Sequence, residues 1–253
     1  MQLHLSTGTT SEGVVERDLT VGGVPGVLWS PVSPTPGSPL LLLGHGGGLH
    51  KGAPGLVARA REAVQRDGFS AVAIDAPGHG DRDRSDEDRR WIAEMRRVRE
   101  TGRPLGPVLG PFNRSLADRA VPEWRAVIDA LQGLPEIGAD ARIGYSGMTL
   151  ATAIGIPLAA ADRRIRALIV GGSLAYPWLL EAARRVTVPV EVLVPWDDPE
   201  LDRASGFALF DALASEDKTL HAFPGSHFRV PADRFDTRFF ARHLGAPEPV
   251  GRR

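Results

Sequence analysis

From residue 40 onward the sequence alternates short apolar segments with longer segments of helical periodicity. The apolar segments have the length of strands, and in most of them polar and apolar residues do not alternate. Strands of this kind are buried on both faces, which is typical of a parallel sheet with helices on each side. The predicted strands are Leu40–Gly44, Ala71–Asp75, Arg142–Gly147, Ala167–Gly171, Val190–Val194 and Thr219–Phe223. The predicted helices are Leu56–Arg66, Val121–Leu131, Leu150–Ala161, Trp178–Arg185, Ala204–Leu213 and Ala232–His243.

Two segments before this alternation, Val14–Val21 and Val24–Ser30, predict an N-terminal antiparallel hairpin. A chain of 253 residues can bury a substantial core, and no linker divides it. We therefore expect a single domain over residues 1–253, of the α/β class, with a mostly parallel twisted sheet.

Composition excludes several classes of function. Cysteine is absent, which removes disulfides, thiolate nucleophiles and cysteine-based metal sites. The 30 basic and 31 acidic residues nearly cancel, so charge supports neither a nucleic acid nor an anionic membrane as partner. Lysine occurs only at Lys51 and Lys218, which leaves few candidates for Schiff-base chemistry. No signal peptide pattern is visible, and we expect a cytoplasmic protein that needs no cofactor.

Residues 81–118 form an unusually long connection between predicted elements. A charged segment with helical potential is followed by GRPLGPVLGPFN, and apolar residues such as Trp91, Met95 and Phe112 are spread through it. Connections of this length in a compact domain are usually functional or disordered. This one leaves the C-terminal end of a strand, where open α/β sheets bind ligands. Two interpretations stay open: a solvated surface excursion, or a small helical lid that forms a pocket wall.

A run of glycines, GHGGG, follows the first apolar strand at residues 44–48. Consecutive glycines allow backbone N–H groups to approach a ligand without interference from Cβ atoms. The pattern matches the oxyanion-hole loop of lipases and esterases. A phosphate cradle and a plain tight turn are the alternatives, whereas the spacing of a dinucleotide fingerprint is absent. We expect His45 to order this loop rather than to catalyse.

The segment ARIGYSGMTLATAIGIPLAAA at residues 141–161 predicts a strand that runs directly into a helix. A nucleophile elbow needs small residues two positions before and after the nucleophile, because strand and helix pack closely there. Two registers compete. Centred on Ser146, the elbow has Met148 where a small residue belongs. Centred on Thr149, it has Gly147 and Ala151 in both places, although a β-branched residue is strained at positive φ. We favour Thr149.

Several motifs together resemble α/β-hydrolase-fold enzymes of the dienelactone-hydrolase-like and esterase-like kind. They are GHGGGLHKGAP, AIDAPGHGDR, IGYSGMTLATAIGIPLAAA, PWDDP and FPGSH, and the resemblance covers roughly residues 14–243. Related elbows read like G-L-S-M-G, which corresponds here to residues 147–151 with Thr149 in place of serine. The substitution need not mean a dead site, since some plant carboxylesterase-like dehydratases carry threonine at this position.

The fold's chain order of nucleophile, acid and histidine implies the remaining catalytic residues. Asp198 follows the strand Val190–Val194 and precedes a proline, and Asp197 is the alternative acid. His227 lies in a Pro-Gly loop just beyond the last predicted strand, where the resemblance implies the general base.

These observations predict a hydrolase acting on a small or medium ester, lactone or related acyl compound, through a Thr149–Asp198–His227 triad. The backbone N–H groups of Gly47, Gly48 and Leu150 would form the oxyanion hole. The expected partner is a small acyl substrate, and the oligomeric state stays open. A lyase, dehydratase or cyclase with His227 as base is one alternative, and a non-catalytic binding scaffold is another. A metal site from His79, Asp81 and Asp83 lacks a supporting spacing, and we expect none.

Overall fold

A computed structural model describes residues 2–235 and 237–245, with backbone only at residues 232 and 233. Its strands are β1 (Leu3–Leu5), β2 (Thr9–Ser11), β3 (Val14–Val21), β4 (Val24–Pro31), β5 (Leu40–Leu43), β6 (Ser70–Ile74), β7 (Ile143–Met148), β8 (Ile165–Gly171), β9 (Val190–Pro195) and β10 (Lys218–Phe223). Its helices are α1 (Pro54–Asp67), α2 (Asp86–Glu100), α3 (Gly106–Gln132), α4 (Leu150–Ala161), α5 (Pro177–Ala183), α6 (Arg203–Ala212), a 3-10 helix (Ala232–Phe235) and α7 (Thr237–Leu244).

The strands form one sheet in the order β1-β3-β4-β6-β5-β7-β8-β9-β10, with β2 paired to β3. From β6 to β10 all neighbours are parallel, whereas β4 pairs antiparallel with β6. The N-terminal hairpin is β3–β4, with Val21 opposite Val24. The predicted α/β fold class is therefore confirmed. The short strands β1 and β2 were not predicted, because three residues carry no periodic signal.

Helices cover both faces of the sheet. On one face α1 and α7 pack on the central strands, and Phe240 lies so close to Gly144 that a Cβ there would be 2.6 Å from the ring. On the other face α3 and α4 lie together, and Trp124 meets Tyr145 edge-on with ring centroids 6.1 Å apart. The central strands β5 and β7 are buried at every position, which explains why polar and apolar residues do not alternate along them.

The long connection at residues 81–118 is helical and belongs largely to α2 and α3. Helix α2 begins at a capping box in which Ser85 and Asp88 each accept the other's backbone N–H. The prediction that a helix begins near Val121 is wrong, because α3 begins at Gly106 and runs through both Pro111 and Pro122. Its buried face is continuous across the prolines, and this tertiary packing outweighs the lost backbone hydrogen bonds. That face includes Val108, Phe112, Leu116, Ala120, Trp124, Val127 and Leu131.

The other predicted helices agree with the structure to within about two residues at each end. The exception is Ala232–His243, which is a 3-10 helix followed by α7, with residue 236 outside the described residues. The ends of the predicted 1–253 domain, residue 1 and residues 246–253, also lie outside them. No helix in the described part of the chain combines the length and the apolar character needed to cross a membrane.

Candidate active site

Thr149 occupies a sharp turn between β7 and α4, with φ 59° and ψ −114°. Within the described ranges, Thr149 and Glu12 are the two residues other than glycine that have a positive φ. A β-branched residue in this region is strained, and such strain persists only where the surrounding structure imposes it. A strained strand-to-helix turn is the backbone geometry of a nucleophile elbow, and it presents the side chain at the C-terminal edge of the sheet.

The packing that imposes this turn is a close approach of three small residues. A Cβ built on Gly147 would lie 2.3 Å from the Cβ of Ala151, and one built on Gly44 would lie 2.5 Å from the same atom. Larger side chains at these positions would push the strand, the helix and the glycine loop apart. The turn between β7 and α4 thus lies at Thr149, whereas Ser146 lies within the strand.

Thr152 supports the turn from below, and sequence analysis did not single it out. Its fully buried hydroxyl accepts the Gly171 N–H at 2.8 Å and lies 2.6 Å from the Gly171 carbonyl oxygen. The Thr149 N–H donates to the same carbonyl at 3.0 Å. The first turn of α4 is therefore attached to the end of β8. Thr152 is the one polar side chain in the α4 sequence, a signal that could have identified it.

Ser146, the alternative nucleophile, lies inside β7 and is only 2% exposed. Its hydroxyl accepts a hydrogen bond from Arg59 Nη1 at 3.1 Å. The Arg59 guanidinium also lies 4.1 Å from the centre of the Phe235 ring, and burial lowers its pKa to about 10. Ser146 thus binds Arg59 on the face of the sheet that α1 covers, and it does not lie at the C-terminal edge of the sheet.

Asp198 and His227 form a tightly bonded pair. Asp198 Oδ2 accepts hydrogen bonds from both Nδ1 and the backbone N–H of His227, each at 2.6 Å. Its Oδ1 accepts the N–H groups of Glu200 and Leu201. Burial by itself would raise the pKa of Asp198, but these hydrogen bonds outweigh it and hold the pKa below its usual value. The carboxylate is therefore charged and orients the imidazole.

Asp197, the alternative acid, points elsewhere. It is exposed, and its polar contacts are to the backbone of Gly225, with Oδ2 3.4 Å from the Gly225 nitrogen. The structure thus brings Asp198 and not Asp197 to the histidine.

The glycine loop, residues 44–53 between β5 and α1, lies beside Thr149 through Gly46, which sequence analysis did not assign to the oxyanion hole. A Cβ built on Gly46 would be 2.9 Å from Thr149 Oγ1. At Gly47 and Gly48 such an atom would meet nothing within 4 Å, so these glycines border open space. Leu150 is the first residue of α4, where backbone N–H groups have no partner within the helix.

His227 approaches the same edge of the sheet from the other side. A Cβ built on Gly172, just after β8, would lie 3.7 Å from His227 Cβ and 2.7 Å from Met148 Cε. No hydrogen bond joins Thr149 to His227 within the described residues. Catalytic hydrogen bonds often tighten only when substrate binds.

Helices α2 and α3 are attached to the loops that carry this site. Arg99 makes a bidentate ion pair with Glu200, at 2.9 Å for both bonds, two residues after Asp198. Trp178, at the start of α5, donates its indole N–H to the Gly110 carbonyl in α3 at 3.2 Å. The 81–118 segment thus flanks the loops that follow β8 and β9.

None of the described residues form a cluster of three or more potential metal ligands.

Proteins similar to this chain are found among solved structures. No family model matches the sequence, and no curated protein matches it. Among solved structures, a cold-adapted esterase from an Arctic intertidal metagenomic library is 32% identical, with a TM-score of 0.73 over 93% of this chain and 95% of that one. The chain belongs to the α/β-hydrolase-fold esterases.

More distant members of the fold also resemble this esterase-family chain. The dienelactone hydrolase from Anabaena variabilis is 21% identical, with a TM-score of 0.65 over 92% of this chain and 100% of that one. An acetyl xylan esterase from Paenibacillus is 14% identical, with a TM-score of 0.67 over 96% of this chain and 88% of that one. The predicted fold and the predicted enzyme class, a carboxylic ester hydrolase, are confirmed.

From the burial of His45 we predict how the free energy of unfolding changes at acidic pH. Its Nε2 accepts the Ala76 N–H at 3.0 Å, so Nδ1 carries the proton and donates to the Gly46 carbonyl. Burial lowers the pKa of His45 from 6.5 to about 4. The unfolded chain therefore binds more protons between these values, and about 3 kcal/mol of stability is lost as pH falls from 6.5 to 4.

We expect the variant His45→Gln to lose this part of the pH dependence, measured by urea unfolding at pH 4.5, 5.5 and 7. His4→Gln, which removes an exposed imidazole, is the control and should follow the wild type. A His45→Gln curve parallel to that of the wild type would show that His45 is not buried in its neutral form.

Proposed function

We propose that this protein hydrolyses small or medium carboxylic esters through an acyl-enzyme formed on Thr149, with His227 as general base and Asp198 as its orienting acid. The observation that carries the proposal is the strained backbone of Thr149 at the elbow, beside the glycine loop. The tightly bonded Asp198–His227 pair on the opposite side supports it. The family's esterase members support the reaction class.

The geometry suggests a sequence of steps in which each proton has a destination. Because His227 Nδ1 is held by Asp198, its Nε2 is left to take the proton of the Thr149 hydroxyl. Thr149 Oγ1 then bonds to the acyl carbon, and the alcohol leaves with the proton from His227. Water, activated by the same imidazole, attacks the acyl-enzyme and releases the acid, which restores the threonine hydroxyl.

The negative oxygen of the tetrahedral intermediate needs donors on the side of the glycine loop. We assign this role to the N–H groups of Leu150 and Gly47, with Gly48 as a further donor, because open space lies beside both glycines. Loss of one such donor in related chemistry costs about 3–4 kcal/mol of transition-state stabilisation.

The substrate class follows from what surrounds the site. Leu49, in the glycine loop, is 50% exposed, and Phe228 is 64% exposed with its ring 3.9 Å from that of His227. Both side chains offer apolar surface next to the reacting groups, which suits an apolar acyl or alcohol group of modest size. The 81–118 segment would form a further wall through its attachments to the two site loops.

The assignment of Thr149 rather than Ser146 as the nucleophile can be tested with variants of both residues. Thr149→Ser keeps the hydroxyl and relieves the strain of the β-branched side chain, so it should retain or increase kcat on simple aryl esters. Thr149→Ala should lower kcat by about 10⁴-fold or more. Activity is measured by release of the aryl alcohol. A fluorophosphonate probe, mapped by mass spectrometry, should label Thr149.

Ser146→Ala is the matched control for this series. It removes one buried hydrogen bond to Arg59, so it should cost about 1–2 kcal/mol in stability and leave kcat unchanged. A label on Ser146, or an inactive but folded Ser146→Ala variant, would contradict the assignment. If Thr149→Ala kept full turnover of an aryl ester while His227→Ala lost it, an acyl-enzyme on Thr149 would be excluded, and the products would then distinguish elimination from general-base hydrolysis.

The two neighbouring aspartates provide a matched pair of variants. Asp198→Asn removes the charge that orients the imidazole, so kcat should fall by about 10⁴-fold. Asp197→Asn alters an exposed side chain whose hydrogen bond within the described residues is to the Gly225 N–H, and kcat should stay near the wild-type value. Equal losses in both variants, measured with the same aryl ester, would argue against Asp198 as the triad acid.

The wall formed by residues 81–118 can be loosened at one ion pair. Arg99→Gln breaks the bidentate contact to Glu200, an exposed pair worth about 1 kcal/mol or less. We expect KM for longer acyl chains to change by up to about fivefold while acetyl esters are unaffected. Arg97→Gln, which alters a more exposed pair on the same helix, is the control. An unchanged KM across a graded acyl series would reduce the segment to a surface feature.

A further inference from the structure

The glycine loop requires something to hold it, because glycine-rich backbone has the greatest conformational freedom. Its internal hydrogen bonds are short-range: Leu49 N–H and His45 Nδ1 donate to the Gly46 carbonyl, Ala53 N–H donates to that of His50, and Gly52 N–H donates to His50 Nδ1. The side of the loop that borders the site is open at Gly47 and Gly48. The position of its N–H groups therefore depends on how its two ends are attached.

Both ends are attached to the segment that follows β6. At one end, His45 Nε2 accepts the N–H of Ala76 at 3.0 Å. At the other end, the Lys51 N–H donates to Asp75 Oδ1 and its ammonium donates to Asp75 Oδ2, each at 2.8 Å. Asp75 thus accepts hydrogen bonds from both the backbone and the side chain of Lys51. These bonds fix the backbone at this end of the loop and pair the ammonium with a carboxylate.

The Asp75 carboxylate is itself held by several contacts. It is fully buried, and it also accepts the N–H of Asp81 at 3.0 Å. A Cβ built on Gly80 would lie 2.2 Å from this carboxylate, so the backbone of the following turn packs directly on it. Burial would raise the pKa of Asp75, but the hydrogen bonds and the charge of Lys51 hold it below its usual value.

The residue type at position 51 also fits this role. The chain uses arginine almost throughout, with lysine only at Lys51 and Lys218. At position 51 a compact ammonium lies between the buried Asp75 and the exposed Asp81. A planar guanidinium is larger and presents its donors in a fixed fork, so arginine is not an equivalent replacement for the lysine at this position.

We propose that the Asp75–Lys51 pair positions the oxyanion-hole loop, and that both are positioning residues for ester hydrolysis. This inference rests on the proposed function of Gly47 and Gly48 as oxyanion donors. The pair touches no reacting atom. It acts by holding the end of the loop so that the N–H groups of the glycines are aimed before substrate arrives.

The test compares Lys51→Met with the double variant Lys51→Met/Asp75→Asn, which avoids leaving a buried carboxylate unpaired. We expect both to lower kcat by about 10- to 100-fold, somewhat less than complete loss of one oxyanion donor, with KM changed by about threefold or less. The inhibition constant of phenylboronic acid, which forms a tetrahedral adduct, should rise in parallel with the loss of kcat. Asp83→Asn removes an exposed carboxylate from the same segment and should behave as the wild type.

Hydrogen exchange provides a measurement that does not depend on activity. In both variants, amides of residues 44–52 should exchange faster while those of the central strands are unchanged. Wild-type kcat and wild-type exchange in the Lys51→Met variant would overturn the proposal. Faster exchange throughout the sheet would also overturn it, since the pair would then stabilise the whole fold. If the unmodified protein neither hydrolyses aryl esters nor binds the boronic acid, the proposed function fails, and exchange in residues 44–52 alone decides whether the pair holds the loop.

Discussion

The close packing of Gly44, Gly147 and Ala151 is the constraint on which the rest of the site depends. Backbone and Cβ atoms approach so nearly that none of the three could be larger. This contact fixes where β7 ends and α4 begins, and so it forces positive φ on the residue between them. It also places the glycine loop against that residue. The strain at Thr149 is offset by the packing of three elements rather than relieved locally.

Buried carboxylates hold the loops at the C-terminal ends of two strands in the same way. Asp75 follows β6 and binds the far end of the glycine loop, while Asp198 follows β9 and binds the histidine loop, the segment after β10 that carries His227. Each accepts a backbone N–H from the loop it holds as well as a side-chain donor. In both cases several hydrogen bonds outweigh the cost of burial, so the charged form persists in a poorly solvated place.

The two sides of β7 have different tasks. One side carries Tyr145, whose hydroxyl donates to the Ala151 carbonyl at 2.7 Å and so braces the first turn of α4. The other side carries Ser146, which Arg59 binds from α1, and Arg59 in turn packs on Phe235 beyond the histidine loop. A serine and a threonine three residues apart thus have distinct surroundings. One is a packing residue within a strand, and the other is partly exposed at the edge of the sheet.

The sequence alone determined the fold class, the parallel strands and the position of the elbow, because each depends on local patterns. Unbroken apolar segments report burial on both faces, and small residues around Thr149 report the close approach of strand and helix. Tertiary structure alone decided the length of α3, since the continuous buried face overrides two prolines that usually end a helix. It paired Asp198, which the sequence already favoured over Asp197, with His227, and it alone revealed the contacts of Gly46 and the Asp75–Lys51 pair. These are contacts between elements distant in the chain, and no local spacing encodes them.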